Sequence, residues 1–353
     1  MFHKVLDWGK YIETAIKANA EGMVLLSNKD NTLPLNPGSK LAVFGRMQNH
    51  YYKSGTGSGG MVNVTRVTGI LDGLKECKDL VLNEELMNVY EEWEKSHPFD
   101  CGIGWGNEPW SQEEMPLTDE LVQKAAAESD IAIVIIARTA GEDKDSKNEP
   151  GSYMLTEVEV NMLSKVRKAF GKLIVLLNVG NVIDMSFMDK YNPDAVLYVW
   201  QGGMTGGKAV AQVLTGEAYP SGKLTDTIAY AIEDYPSHSN FGGLERNIYA
   251  EDIYVGYRYF ETVAKDKVRY PFGFGLSYTE FEIKPVSFNR DKDSICLEVE
   301  VANSGGSKGK EVVQVYFEAP QGLLGKPARS LVAFAKTREL MPGETQTIKF
   351  SIN

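Results

Sequence analysis

Four short runs of the chain are apolar without interruption: "LAVFG" at 41–45, "IAIVIIA" at 131–137, "KLIVLLNVG" at 172–180 and "AVLYVW" at 195–200. Unbroken, β-branched runs of this length predict strands covered on both faces, the pattern of a parallel sheet. Between them "TDELVQKAAAESD" (118–130) and "TEVEVNMLSKVRKAFG" (156–171) alternate apolar and polar positions with the period of a helix. Strand and helix in turn predict an open, mostly parallel α/β sheet sandwiched by helices. A helical spacing also runs from Tyr11 to Leu25, and "SNKDNTLPLNPGSK" then breaks it with Asn, Asp, Pro and Gly.

The pattern changes after about residue 275. "SICLEVEVANSGG", "EVVQVYFEAP", "SLVAFAKTREL" and "TQTIKFSIN" are strand-like, with turns at "NSGGSKG" and "MPGE" and no helical period between them. This predicts two domains, an α/β domain over 1–274 and a small β-sandwich over 275–353. The sandwich shows about five strands where a complete one of this kind has about seven, so its last strands are expected to be missing.

Length and composition agree with two ordinary globular domains: 353 residues, 43% hydrophobic and 24% charged. A formal charge of −11 offers no basic face to a phosphate backbone or an anionic membrane, so neither nucleic acid nor membrane is an expected partner. The first residues lack the apolar core of a signal peptide, and no 18 apolar residues run together, from which a cytoplasmic location is expected. Cys77, Cys101 and Cys296 lie far apart without a CxxC pair, and four histidines are scattered. No disulfide framework, metal site or cofactor is therefore expected.

Candidate chemistry sits in two loops. In "ARTAGEDKDSKNEPGSYMLTEVEVNML" (137–163) the chain leaves a buried strand and enters a charged stretch, with Glu142 five residues past Ala137. Catalytic loops of open α/β sheets lie beyond the carboxyl ends of the strands. The bland reading is a solvated charge run. Against it, Gly141 marks a sharp turn, and Arg138 stands where it could hold the Glu142 carboxyl at a cleft. The second loop, "YYKSGTGSGG" (51–60), fits GxGxxG through Gly55, Gly57 and Gly60, but it follows its strand by some ten residues and opens no helix, which argues against a dinucleotide site. A flexible surface loop, or one whose small residues let Ser58 approach a polar ligand, remain open. In "FDCGIGWGNEPW" (99–110), Trp105 and Trp110 suit sugar stacking or, more commonly, a core or interface. The glycines of "WQGGMTGGKAV" (200–210) suit close strand-to-helix packing.

Taken in order, these stretches resemble glycoside hydrolase family 3, the β-glucosidase family. "EGMVLLSNKDNTLPL" is similar to the entry into its second domain, "SGTGSGG" to its glycine-serine loop and "RTAGEDKD" to the loop of its general acid/base. "LNVGNVIDMSF", "GGMTGGKAVAQVLTGEAYPSGKL" and "DIYVGYRYFET" continue the likeness. "YPFGFGLSYTEF" resembles the junction with a fibronectin type III-like domain, and "GKEVVQVYF" and "KTRELMPGETQTIKF" resemble strands within it. The resemblance implies that Glu142 is the proton donor and general acid/base of a retaining β-glucosidase. It also implies that Thr56, Gly57 and Ser58, with Arg138, bind a terminal β-linked glucose or a related sugar such as xylose. Here the family's "GEGxDR" reads "GEDKDS", with Asp143 in place of glycine and Ser146 in place of arginine. The family's barrel domain, which carries the nucleophilic aspartate, would need an eight-fold βα repeat of about 250 residues, and the sequence contains none. The order of motifs resembles the circularly permuted members, so the barrel is expected on another chain or further along the polypeptide, and the chain alone is expected to be inactive. A homo-oligomer is compatible with the sequence. Two other readings are a non-catalytic carbohydrate-binding or scaffold protein and a nucleotide-binding α/β protein.

Overall fold

The computed structural model describes residues 6–142, 144–243 and 245–352. The chain forms two compact units, one reaching to Gly222 and the other starting at Lys223.

In the first unit the elements run α1 (Trp8–Gly22), β1 (Val24–Asn28), β2 (Lys40–Phe44), α2 (Ile70–Lys75), β3 (Val81–Leu82), α3 (Glu84–Glu94), α4 (Asp119–Glu128), β4 (Ile131–Arg138), α5 (Glu157–Ala169), β5 (Lys172–Val179), α6 (Phe187–Tyr191), β6 (Ala195–Tyr198) and α7 (Gly206–Thr215). The four unbroken apolar runs are β2, β4, β5 and β6. They pair in parallel, with Leu41 opposite Ile131, Ile131 opposite Lys172 and Ile174 opposite Ala195. All eight residues of β4 are buried, as a strand covered on both faces requires. Helices α1 and α2 pack on α7, and α4 and α6 pack on α5.

One boundary departs from the helical spacing read through Leu25. The helix stops at Gly22, and Val24–Asn28 becomes an edge strand antiparallel to β6. From Met23 to Leu26 every residue is apolar and buried. A helix would turn one of every few such residues to solvent, whereas a strand covered on both faces buries them all.

The sheet order is β1-β6-β5-β4-β2-β3. The chain goes from β2 outward to β3, returns to the other side of β2 as β4, and then continues away through β5 and β6. The direction of winding therefore reverses between β2 and β4. A crevice opens beyond the carboxyl ends of strands at such a switch point, and the segments that leave β2 and β4 there carry Ser58 and Glu142.

The helices are closed by their own sequence. Thr118 accepts from Leu121 N to cap α4, with Asp119 and Glu120 in the first turn. Thr156 and Glu159 form a reciprocal capping box at α5, Glu159 N donating to Thr156 Oγ1 and Thr156 N to Glu159 Oε2. The glycines of 202–207 serve helix-to-helix contact more than the expected strand-to-helix packing. A Cβ on Gly207 would lie 1.9 Å from the carbonyl oxygen of Gly69, which caps α2.

The second unit contains a short antiparallel pair, β7 (Ile228–Ala229) and β8 (Val268–Tyr270), with α8 (Tyr257–Val263) between them in sequence; Ala229, Phe260 and Ala264 form its small core. It continues with β9 (Phe281–Arg290), β10 (Ile295–Asn303), β11 (Val312–Phe317), β12 (Ser330–Lys336) and β13 (Thr345–Ile352). These form a three-stranded antiparallel sheet, β13-β10-β9, and a two-stranded one, β11-β12. Val299, Val301, Val313, Leu340, Ile348 and Phe350 are buried between them. Residues 223–274, which the change in pattern at 275 leaves with the α/β part, group in space with these strands.

Candidate active site

The segment leaving β2 is held along much of its length. Gly45, at φ +102°, runs so close to β4 that a Cβ there would lie 2.6 Å from the Ile135 carbonyl oxygen. The Arg46 amide donates to both oxygens of the buried Glu114 carboxylate, and its guanidinium donates to the carbonyls of Glu113 and His97. Tyr51 Oη accepts from Gly202 N at 2.6 Å. Asn178, completely buried near the end of β5, acts like a short stretch of strand: its Oδ1 accepts from Tyr52 N, and its Nδ2 donates to Tyr52 O and Trp200 O. A lone Asn inside the apolar run "KLIVLLNVG" is the sequence signal for this anchor.

Beyond Tyr52 the glycine-serine stretch meets the loop that leaves β4. Thr56 N donates to Ala140 O at 3.0 Å, and Thr56 and Gly141 form a parallel β-bridge. Gly141 and Lys144 close a tight turn by pairing their backbone groups, which puts Glu142 at its tip. A Cβ on Gly141 would lie 2.7 Å from Thr56 O. One on Gly57, which has φ +76°, would lie 2.4 Å from Glu142 Cβ. Only glycine allows the two loops to approach so closely, and at Gly57 only glycine takes the backbone angle without strain.

At this contact Ser58 Oγ and Ser58 N both donate to Glu142 Oε2, at 2.5 and 3.1 Å. The hydroxyl bond, then the amide bond, hold the exposed Glu142 carboxyl below its ordinary value. The arrangement is a solvent-facing carboxylate with one oxygen capped by a hydroxyl and an amide and the other oxygen free of protein hydrogen bonds in the described contacts. Such a group can accept or deliver one proton from its place beyond the carboxyl ends of β2 and β4. Asp143, the next residue, lies outside the described residues.

Of the residues singled out from sequence, Thr56, Gly57, Ser58 and Glu142 come together here, with Thr56 buried and touching the site through its backbone. Arg138 does not join them. Its side chain is 1% exposed and forms a bidentate pair with Glu159, both N–O distances being 2.7 Å; its remaining N–H groups donate to the carbonyls of Ser152, Ala137 and Met154. The expectation that Arg138 holds Glu142 or binds substrate is thus corrected: all five guanidinium donors are engaged in the interior. The reason is the capping box of α5, which brings an unneutralised Glu159 into the core beside the end of β4.

The GxGxxG stretch opens no helix; the next one, α2, starts at Ile70. Trp105 is about half exposed, whereas Trp110 donates from Nε1 to Asp145 O and lies under the ammonium groups of Lys144 and Lys147. Ser146, where the family resemblance expects arginine, accepts from Asn181 Nδ2.

The sequence model of the glycosyl hydrolase family 3 C-terminal domain matches residues 23–278, and that of a fibronectin type III-like domain matches 311–353. The chain is 57% identical over 347 residues to a β-glucosidase of Ruminococcus albus, covering 98% of this chain and 36% of that protein. Among solved structures, a β-glucosidase from Paenibacillus barengoltzii superposes over 100% of this chain and 39% of its own, with a TM-score of 0.95 and 52% identity. β-Glucosidase 3B from Thermotoga neapolitana in complex with glucose superposes with a TM-score of 0.91 and 37% identity, covering 98% of this chain and 49% of that one. The chain therefore spans less than half the length of each of these proteins. With the α/β unit, the fibronectin type III-like strands and the matching family model all in agreement, the chain belongs to glycoside hydrolase family 3.

Proposed function

We propose that this chain is the acid/base half of a retaining β-glucosidase acting on terminal non-reducing β-D-glucosyl residues, and that its nucleophile lies on a barrel domain outside these 353 residues. The observation that carries the reading is the Ser58–Glu142 contact at the switch point, where an exposed carboxylate is held and capped by a second loop. A retaining cycle needs two carboxyls about 5–5.5 Å apart, one to attack the anomeric carbon and one to protonate the leaving oxygen and then activate water. Glu142 supplies the second of these roles. The similarity to several β-glucosidases, one of them solved with glucose, supports the substrate class.

Two opposing effects act on the carboxyl. The Ser58 bonds favour the charged form, as seen here. Covering by sugar and barrel removes water from it and favours the protonated form that a general acid needs. In the covered site, a sugar that takes the Ser58 hydroxyl for its own hydrogen bond releases Glu142 to hold a proton. After glycosyl transfer to the nucleophile, the deprotonated carboxylate takes a proton from the incoming water.

The test is Glu142→Ala in the chain supplied with its barrel. Activity on aryl β-glucosides should fall by about 10²–10⁴-fold, most steeply for poor leaving groups, and azide should restore turnover on activated ones. Loss of activity without azide rescue would remove Glu142 from the role.

A further inference from the structure

Trp110 belongs to neither loop of the site, yet it touches the Glu142 turn on both sides. Its carbonyl accepts from Thr139 N at 2.8 Å, before the turn. After the turn, its indole Nε1 donates to Asp145 O at 3.1 Å, and Lys144 and Lys147 place their ammonium groups 4.7 and 5.3 Å from its ring centroid. An ammonium at that distance from an indole is attracted by the ring's electron-rich face.

The segment that carries Trp110 is itself fixed. The buried Gln112 accepts from Asp100 N and donates to Asp100 O, and the buried Glu114 accepts from the amides of Arg46 and Met115. Through Arg46 the same segment is tied to the start of the Ser58 loop. The ring that the sequence offered as a sugar platform is thus engaged by two side chains of this chain.

We propose that Trp110 is a positioning residue that keeps the Glu142 turn in register with Ser58. Without its ring the turn loses the bond to Asp145 O and the face beneath Lys144 and Lys147; the Thr56 bridge and the Gly141–Lys144 pair remain, with the Asn181–Ser146 and Lys147–Ser152 bonds farther along the loop. The inference takes its catalytic meaning from the reading of Glu142 as acid/base, but the contact it describes exists in the chain alone.

It is tested on the chain itself by NMR of ¹³C-labelled glutamate, with the Glu142 carboxyl assigned by its absence in Glu142→Gln. Wild type should titrate below an ordinary glutamate, and Ser58→Ala sets the midpoint reached when the contact is lost. Trp110→Ala should move the midpoint up to the Ser58→Ala value. Trp110→Phe keeps a ring under the lysines but loses the donor to Asp145, and should move it part of the way. A wild-type midpoint in Trp110→Phe, or in a folded Trp110→Ala, overturns the proposal, as does a wild-type Glu142 that titrates as it does in Ser58→Ala. If Trp110→Ala does not fold, Trp110→Phe decides alone. None of these outcomes depends on activity, so a failure of the acid/base assignment would appear separately, in the azide experiment.

Discussion

Arg138 and Glu142 are four residues apart and chemically complementary, yet one faces the core and the other faces water. The strand decides this: Arg138 is the last residue of β4, still inside the sheet, while Gly141 turns the chain out before Glu142. A buried guanidinium needs a counter-charge, and Glu159 provides it from the first turn of α5. Arg138→Met should therefore destabilise the fold by about 3–5 kcal/mol by leaving Glu159 buried and unpaired. The double variant Arg138→Met/Glu159→Leu should recover only part of that loss in urea unfolding, because it also removes the bond from Thr156 N and the donors to the Ser152, Ala137 and Met154 carbonyls. A single variant as stable as wild type would show that the pair carries no such weight. Sequence spacing made Arg138 a candidate for the site because it records distance along the chain; it does not record which face of the sheet a strand-end side chain enters. The exposed turn at Glu142 was legible because Gly-Glu after a buried strand describes a turn and a charge together.

At the scale of elements, the segment 110–116 is the part that pattern reading could not assign. It has neither a helical nor a strand period, and it works by hydrogen bonds to the loop that leaves β2. Its buried carboxyl, Glu114, shows the energetic cost of that arrangement. Burial pushes it from an ordinary 4.5 up to about 8, more strongly than its bonds from the Arg46 and Met115 amides pull it down. The folded state therefore binds this proton more tightly than the unfolded chain does. The associated stability is complete below about pH 4.5 and is lost as pH rises to about 8, at a limiting slope of about 1.4 kcal/mol per pH unit. In Glu114→Gln that slope should be absent, and the difference between the two proteins' unfolding free energies should grow across this window and level off above it. Parallel curves for the two proteins would mean that Glu114 ionises in the fold as it does in the unfolded chain. The central strands, by contrast, were legible to within a residue or two, because a strand buried on both faces is apolar along most of its length, Arg138 and Asn178 near the ends of β4 and β5 being the exceptions. The edge strand β1 was not, since it continues directly from the apolar face of α1.

For the molecule as a whole, the order of motifs carried the architecture: an α/β sheet followed by a fibronectin type III-like set of strands. The division in space falls at Gly222, whereas the pattern changes near residue 275 and the family match runs to 278. On the proposed reading, the chain supplies one carboxylate where hydrolysis with retention needs two. The purified chain, assayed alone on aryl β-glucosides, should give no turnover above buffer. Steady hydrolysis that Glu142→Ala abolishes would place a second carboxylate within these 353 residues and end the split-site reading.

The β-bridge between Thr56 and Gly141 has a mechanical meaning for such an enzyme. On the proposed reading, the loop that would meet the sugar and the loop that would aim the proton are joined by this bridge and by the Ser58–Glu142 contact, so a displacement of one would be passed to the other. A glycoside that fits badly against Ser58 would then also tilt Glu142 away from the bond to be broken. Discrimination between sugars then falls on the speed of the chemical step, even among substrates that bind equally well.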